Sequence, residues 1–451
     1  MTIDDTSSAG ADDSVGDVPT LRRWLGPGFR ALRHRNYRLF FAGQGMSLIG
    51  TWMQRTALAW LVVVLNKSDP KKAALMLGVV GFAGQIMTFL VAPVGGVVAE
   101  HAERRKLLVL TQVLAMVQAF VLAGLVFAGT ITTLQIILLS GLLGLINAFD
   151  IPIRQSFVVE MLESRADLPN AIAINSFMVH AAKLVGPSLA GVLIAAVGMT
   201  TCFAINGATF IAVIAALLAM RTKPIIRQAR NGGILRNLHE GLVYAVRFAP
   251  IRAILLLLAT ISLLGSSHTL LLPVFAQDIL HGGPRTLGFL TAATGIGAMA
   301  GAVLLALRPS IRGMGRIMAT GCALLGASVI GFGLSHNLWL SYCLLAIAGA
   351  GMMVQFAGSN SLLQTLVDDD KRGRVMSLYV MAFMGMTPFG NLLAGWLAGL
   401  IGPPMTVVIG GSSCILASLL FATRLPALGR MAHPVYVRMG IVEDPSDIAR
   451  L

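Results

Sequence analysis

Five ionisable side chains lie deep inside otherwise apolar runs of this chain: Arg55, Asp150, Arg154, His180 and Lys183. Each costs about 3 kcal/mol on membrane-insertion scales, and such groups persist where they are paired or line a wet path. Asp150 and Arg154 stand at i and i+4, on one face of a helix; His180 and Lys183 stand at i and i+3 on the next. Adjacent helices can bring the two faces together. Asp150 would then take up a proton when Lys183 or Arg154 moves away and release it when the cation returns. That is proton-exchange chemistry, and Asp150→Asn is expected to abolish pH-gradient-driven activity without unfolding the chain. The structural alternatives are a permanent Asp150–Arg154 ion pair and a neutral His180 bonded to a backbone carbonyl. Arg55, near the middle of its run, can attract an anionic group. Gln44, Gln54 and Gln355 are further candidates for a polar cavity wall, although glutamines in such runs also bond between helices.

The elements that must hold these groups are membrane helices. The 451 residues are 56% hydrophobic and 12% charged, with mean hydropathy +0.79; soluble domains carry about 25% charged residues. A span needs about 20 mostly apolar residues. Twelve runs meet that need, near 38–65, 73–99, 107–128, 133–157, 169–195, 199–220, 251–279, 285–307, 315–334, 337–359, 374–401 and 403–423. They are continuous rather than alternating with period two, which excludes a β-barrel. The predicted fold is all-α, with six-helix bundles over 29–220 and 251–423. An arm (1–28) and a tail (424–451) flank them. A linker over 221–250 carries Leu235, Leu238, Leu242 and Val246 at amphipathic-helix spacing.

The net charge of +14 is a topology signal. With twelve spans, 28 of the 34 Lys and Arg fall on the side of both termini and four on the other, with Arg55 and Lys183 inside spans. Basic loops favour the cytoplasm, so both termini are expected there. No nucleic-acid partner is expected. The four cysteines fall in spans without paired spacing, so no disulfide frame or metal site is expected. Neither a phosphate-binding glycine loop nor a catalytic cluster is present, which argues against an ATP-driven machine or an enzyme and calls for no cofactor.

The halves repeat. LAGVLIAAVG (189–198) matches LAGWLAGLIG (393–402) at an offset of 204, and the stretch from Leu77 matches that from Leu287 at an offset of 210. Repeated six-helix units belong to carriers that rock about a site near mid-membrane.

GGVVAEHAERRK (95–106) resembles the loop between spans two and three of the major facilitator superfamily. In that pattern Gly96 allows close helix approach, Glu100 stands for the usual Asp, and Arg104 and Arg105 form the cytoplasmic gate. His101 and Glu103 depart from it. GPSLAG (186–191) resembles the fifth-span antiporter motif through Gly186, Pro187 and Gly191, with Ala190 in place of a glycine. RNYRLFFAGQGMSLIGTWMQRTALAWLV (35–62) and AFDIPIRQSFVVEML (148–162) resemble the branch that includes enterobactin exporters and macrolide efflux pumps. The resemblance implies a monomeric secondary exporter working by alternating access, moving a small amphipathic siderophore or drug-like molecule in exchange for protons across the lipid bilayer. A lipid or lysolipid flippase of the same fold is the alternative. The fourth-span arginine of many antiporters is absent, with Ser140 near its place.

Overall fold

A computed structural model describes residues 27–101, 103–221, 242–308, 311–368 and 371–438. Among them the chain forms twelve helices long and apolar enough to cross a membrane, and no strand. These are α1 (Arg35–Leu65), α2 (Pro70–His101), α3 (Arg104–Phe127), α4 (Thr133–Phe157), α5 (Leu168–Val197) and α6 (Met199–Ala219). The second six are α7 (Ala249–Ile279), α8 (Pro284–Ala306), α9 (Met314–Leu334), α10 (Leu338–Leu366), α11 (Arg372–Ile401) and α12 (Pro403–Arg438). In hydrocarbon every backbone N–H and C=O must find a partner within its own segment, so each apolar run becomes a helix. The predicted arm and most of the predicted linker, with Leu235 and Leu238, lie outside the described residues. Leu242 and Val246 are both exposed. The twelfth helix overruns its predicted end at 423 and reaches Arg438, passing through Pro426 and Pro434.

In the first half α1 packs on α5 and α6, α3 on α4 and α6, and α2 on α4; in the second half α10 packs on α8 and α9, and α9 on α12. The two largest contacts between the halves are α2 with α11 and α5 with α8, with smaller ones of α2 to α7 and α12 and of α1 to α7 and α8. Both of the largest are made where glycine meets glycine. A Cβ on Gly78 would lie 2.8 Å from the Gly395 Cα, and one on Gly191 would lie 3.2 Å from the Gly288 Cα. Gly191 and Gly395 differ by the repeat offset of 204, and Gly78 and Gly288 by 210. The two seams are therefore copies of one another. Without a strong hydrophobic drive between helices in lipid, such backbone-to-backbone approach is what holds them together. The repeat also explains its final glycine. Gly198 and Gly402 follow α5 and α11 with φ of 85° and 91°, a conformation only glycine adopts without strain.

Alternate loops emerge on opposite faces. The face bearing the start of α1, Arg104 and Arg105 is the basic face; both glycine seams lie in the half nearer the far face.

Candidate functional site

The faces that form the seams continue toward the basic face, and there they part. On α5 the stripe Ile172, Ser176, His180 and Lys183 is exposed, whereas its continuation, Pro187, Ala190, Gly191 and Ile194, is buried. The α11 stripe behaves identically: Gly373, Ser377, Val380 and Met384 are exposed, and Asn391, Gly395 and Ala398 are buried. A separate stripe of α5 (Val185, Leu189, Val192) faces outward along the apolar perimeter. The bundles therefore touch in the far half and open a cleft toward the basic face.

Lys183 stands at the inner end of this cleft, midway along α5. One turn on, α5 crosses α1 tightly, because a Cβ on Gly186 would lie 2.6 Å from the Trp52 Cβ. That crossing places the Lys183 ammonium 5.4 Å from the centre of the Trp52 ring. The Arg55 guanidinium lies 4.8 Å from the same ring. On α1 the outward stripe is Arg35, Arg38, Ala42 and Met46. Arg55 is nine residues beyond Met46, about two and a half turns, so it points the opposite way, toward the interior. Both side chains keep accessible surface in the cleft, and neither has an acidic partner among the described residues. Pro187 has no N–H to donate to the Lys183 carbonyl, so one backbone acceptor is also released beside the cluster. The proline leaves α5 continuous, and its own carbonyl packs against Gly288.

Asp150 is elsewhere. The expectation that it meets the His180–Lys183 face is not realised, because α4 presents it to α3. Its Oδ1 accepts from Thr111 Oγ1 at 3.0 Å and Gln112 Nε2 at 2.7 Å, and its Oδ2 pairs with Arg154 Nε at 3.2 Å. Asp150 is 4% exposed. The carboxylate is thus occupied by an in-helix ion pair braced by the neighbouring helix. No hydrogen bond or ion pair joins this group to His180 or Lys183 among the described residues.

Three of the four cavity candidates are corrected by burial. Gln54 accepts from Asn206 Nδ2 at 2.7 Å and donates to Gln118 Oε1 at 3.1 Å, tying α1 to α3 and α6. Gln44 is buried within the first bundle, and Gln355 donates to Ser359 one turn along α10 in the core of the second. Only Arg55 is exposed. At the basic face Arg104 forms a buried ion pair with Glu160 at the end of α4, and Arg105 donates to the Leu218 carbonyl of α6. Both contacts lie within the first bundle. Close helix approach falls to Gly95, which packs on the Ala148 carbonyl, whereas a Cβ on Gly96 would meet nothing within 4 Å. The side chains of Glu100 and His101 lie outside the described residues.

Sequence reasoning missed Trp52 as the shared ring, Thr111 and Gln112 as braces for Asp150, and the fully buried His268, whose Nδ1 lies 2.9 Å from the Gly265 carbonyl. A tryptophan one turn before an intramembrane arginine was the available signal for the first.

The chain matches a family model described as transmembrane secretion effector over residues 27–435. It is similar to the staphyloferrin A transporter of Staphylococcus aureus, at 24% identity over 387 residues, 85% of this chain and 95% of that protein. It is also similar to the enterobactin exporter EntS of Citrobacter koseri, at 24% identity over 413 residues, 89% of this chain and 94% of that protein. Among solved structures, a bacterial homologue of the iron transporter ferroportin in an inward-facing state shares the fold, with TM-score 0.67, 18% identity and coverage of 86% of this chain and 98% of that one.

Proposed function

Because the chain belongs to the transmembrane secretion effector family of the major facilitator superfamily, we propose that it exports a siderophore or drug-like small molecule from the cytoplasm by alternating access. The single observation that carries this reading is the matched behaviour of α5 and α11. In each, one helix face is exposed in the basic half and buried in the far half; the exposed pairs Ser176 and Val380, His180 and Met384, and the buried pairs Pro187 and Asn391, Gly191 and Gly395, Ile194 and Ala398, are related by the internal repeat. A rigid rocking of two like bundles exchanges which half is open. The basic face is read as cytoplasmic from its share of Lys and Arg, so the cleft corresponds to the loading state of an exporter.

The far seam is smooth backbone against backbone, a surface that can part without breaking directional bonds. The basic-face contacts of Arg104 and Arg105 stay inside one bundle. They tie α3 to the end of α4 and to α6 and leave that face free to close. Export would run against proton entry. His180 is the titratable ring on the exposed stripe of α5, and Asp150 with Arg154 braces α4 against α3.

The test is reconstitution of the purified chain in liposomes under an imposed pH gradient. A catecholate siderophore, a hydrophobic cation and a lysolipid are compared side by side. Gradient-dependent movement of the first or second supports the reading. Movement of the lysolipid alone makes the chain a flippase, and movement of none of the three overturns the export reading.

A further inference from the structure

We propose that Arg55, Lys183 and Trp52 form a binding site for an organic anion with a flat aromatic or unsaturated body. The proposal rests on the export reading only for the direction in which the ligand is carried; the site itself is read from geometry.

Two helices contribute to it. Arg55 comes from α1 and Lys183 from α5, and the ring distances of 4.8 Å and 5.4 Å hold both cationic heads against one indole. The heads therefore lie within about 10 Å of each other, a Debye length at ordinary ionic strength. The described ion pairs elsewhere in the chain match a cation with an acid: Arg104 with Glu160, Arg154 with Asp150, Lys106 with Glu103 and Lys371 with Asp368. Arg55 and Lys183 have none, and both remain exposed at the closed end of the cleft.

Two like charges in the interior of a membrane protein repel, and a cation–π contact offsets only part of the cost of keeping them there. An anion entering from the basic face removes that cost. It is met by the planar fork of Arg55, which suits a carboxylate or catecholate, and by the point charge of Lys183. The indole offers a face for the apolar body of the ligand. A hydrophobic cation would meet two like charges at the same place, so the arrangement selects against it.

The repeat isolates the feature to one bundle. The position matching Lys183 in the second half is Thr387, and that matching His180 is Met384. The second bundle instead brings aromatic rings together: Phe356 and Phe383 lie 4.0 Å apart between centroids, with Tyr379 6.4 Å from Phe383.

The experiment is calorimetric titration of the full chain in nanodiscs made only of zwitterionic lipid, so that lipid headgroups supply no competing net charge. The probes are 2,3-dihydroxybenzoate, naphthalene-1,5-disulfonate and tetraphenylphosphonium. Saturable binding of at least one anion is expected. Affinity should fall about 10- to 100-fold in Arg55→Gln and in Lys183→Gln, the range for losing one charge-assisted contact, and Arg55→Lys should recover most of it. Variants are compared only after gel filtration and circular dichroism match the parent. No saturable anion binding in the parent, anion binding that Arg55→Gln with Lys183→Gln leaves unchanged, or saturable binding of tetraphenylphosphonium alone would each overturn the proposal. Anion binding without movement in liposomes removes the export reading and leaves the site standing; cation movement without anion binding does the reverse.

Discussion

If the bundles rock as proposed, the glycine seams set a measurable energy between the two open states. A Cβ on Gly191 would lie 2.6 Å from the Pro284 carbonyl oxygen and 3.1 Å from the Arg285 Cα. These are backbone atoms of α8 and cannot rotate away, so α5 and α8 must separate by about 1 Å to restore ordinary contact. Gly191→Val adds two further methyl groups at that place. Overpacking of this kind costs about 1–3 kcal/mol. The cost falls on the state closed at the far face, because the seam exists only there. The population open to the basic face should then drop about 5- to 150-fold relative to its alternative. Ser176 lies in the exposed stripe and reports that population. A Ser176→Cys chain, with exposed Cys343 replaced, is labelled in vesicles whose outer surface bears the basic face, with a membrane-impermeant maleimide. The labelling rate should fall on adding Gly191→Val, approaching the change in ratio once the state open to the basic face is no longer the major one. Gly395→Val, at the symmetry-related seam, should give a fall of similar size. A correctly inserted Gly191→Val chain that labels at the parent rate would refute the assignment of the seam as the far-face closure.

Asp150→Asn leaves the partly exposed Arg154 without its partner and is expected to cost on the order of 2 kcal/mol. This appears as a lower melting temperature in detergent, recovered in part by adding Arg154→Gln; an unchanged melting temperature would show that the pair does not brace α3 on α4. At Gly198 a Cβ would meet no atom within 4 Å, so Gly198→Ala tests conformation alone. It should destabilise by about 1–3 kcal/mol, and equal stability would contradict the positive φ. For an anionic cargo, a potential of 100 mV, negative on the basic face, contributes about 2.3 kcal/mol per charge, about 50-fold in the accumulation ratio. A potassium diffusion potential across proteoliposomes measures this directly, and indifference of the flux to potential would exclude net movement of negative charge. Gln54→Met should cost about 1 kcal/mol of stability through the lost bonds to Gln118 and Asn206; a melting temperature equal to the parent's would remove that network from the account.

The twelve helices and the internal repeat were determined by sequence alone, for a plain physical reason. Hydrocarbon leaves an unpaired peptide group no other partner, so about 20 apolar residues dictate a helix wherever they fall. The glycines shared at 198 and 402 were visible in the repeat, but their φ near 90° is seen only in the structure. Intramembrane charges could be flagged from cost alone. What they pair with could not, because pairing depends on the rotation of each helix about its axis and on which helix stands beside it. Those are set by the close approaches of Gly43, Gly50, Gly186 and Gly191 to their neighbours. A few tens of degrees of rotation decide that Asp150 meets Thr111 and Gln112, that Gln54 meets Asn206, and that Gln355 turns into the second bundle. The same packing brings Lys183 of α5 to the tryptophan that Arg55 already covers. That juxtaposition of residues more than a hundred positions apart exists only in the folded chain.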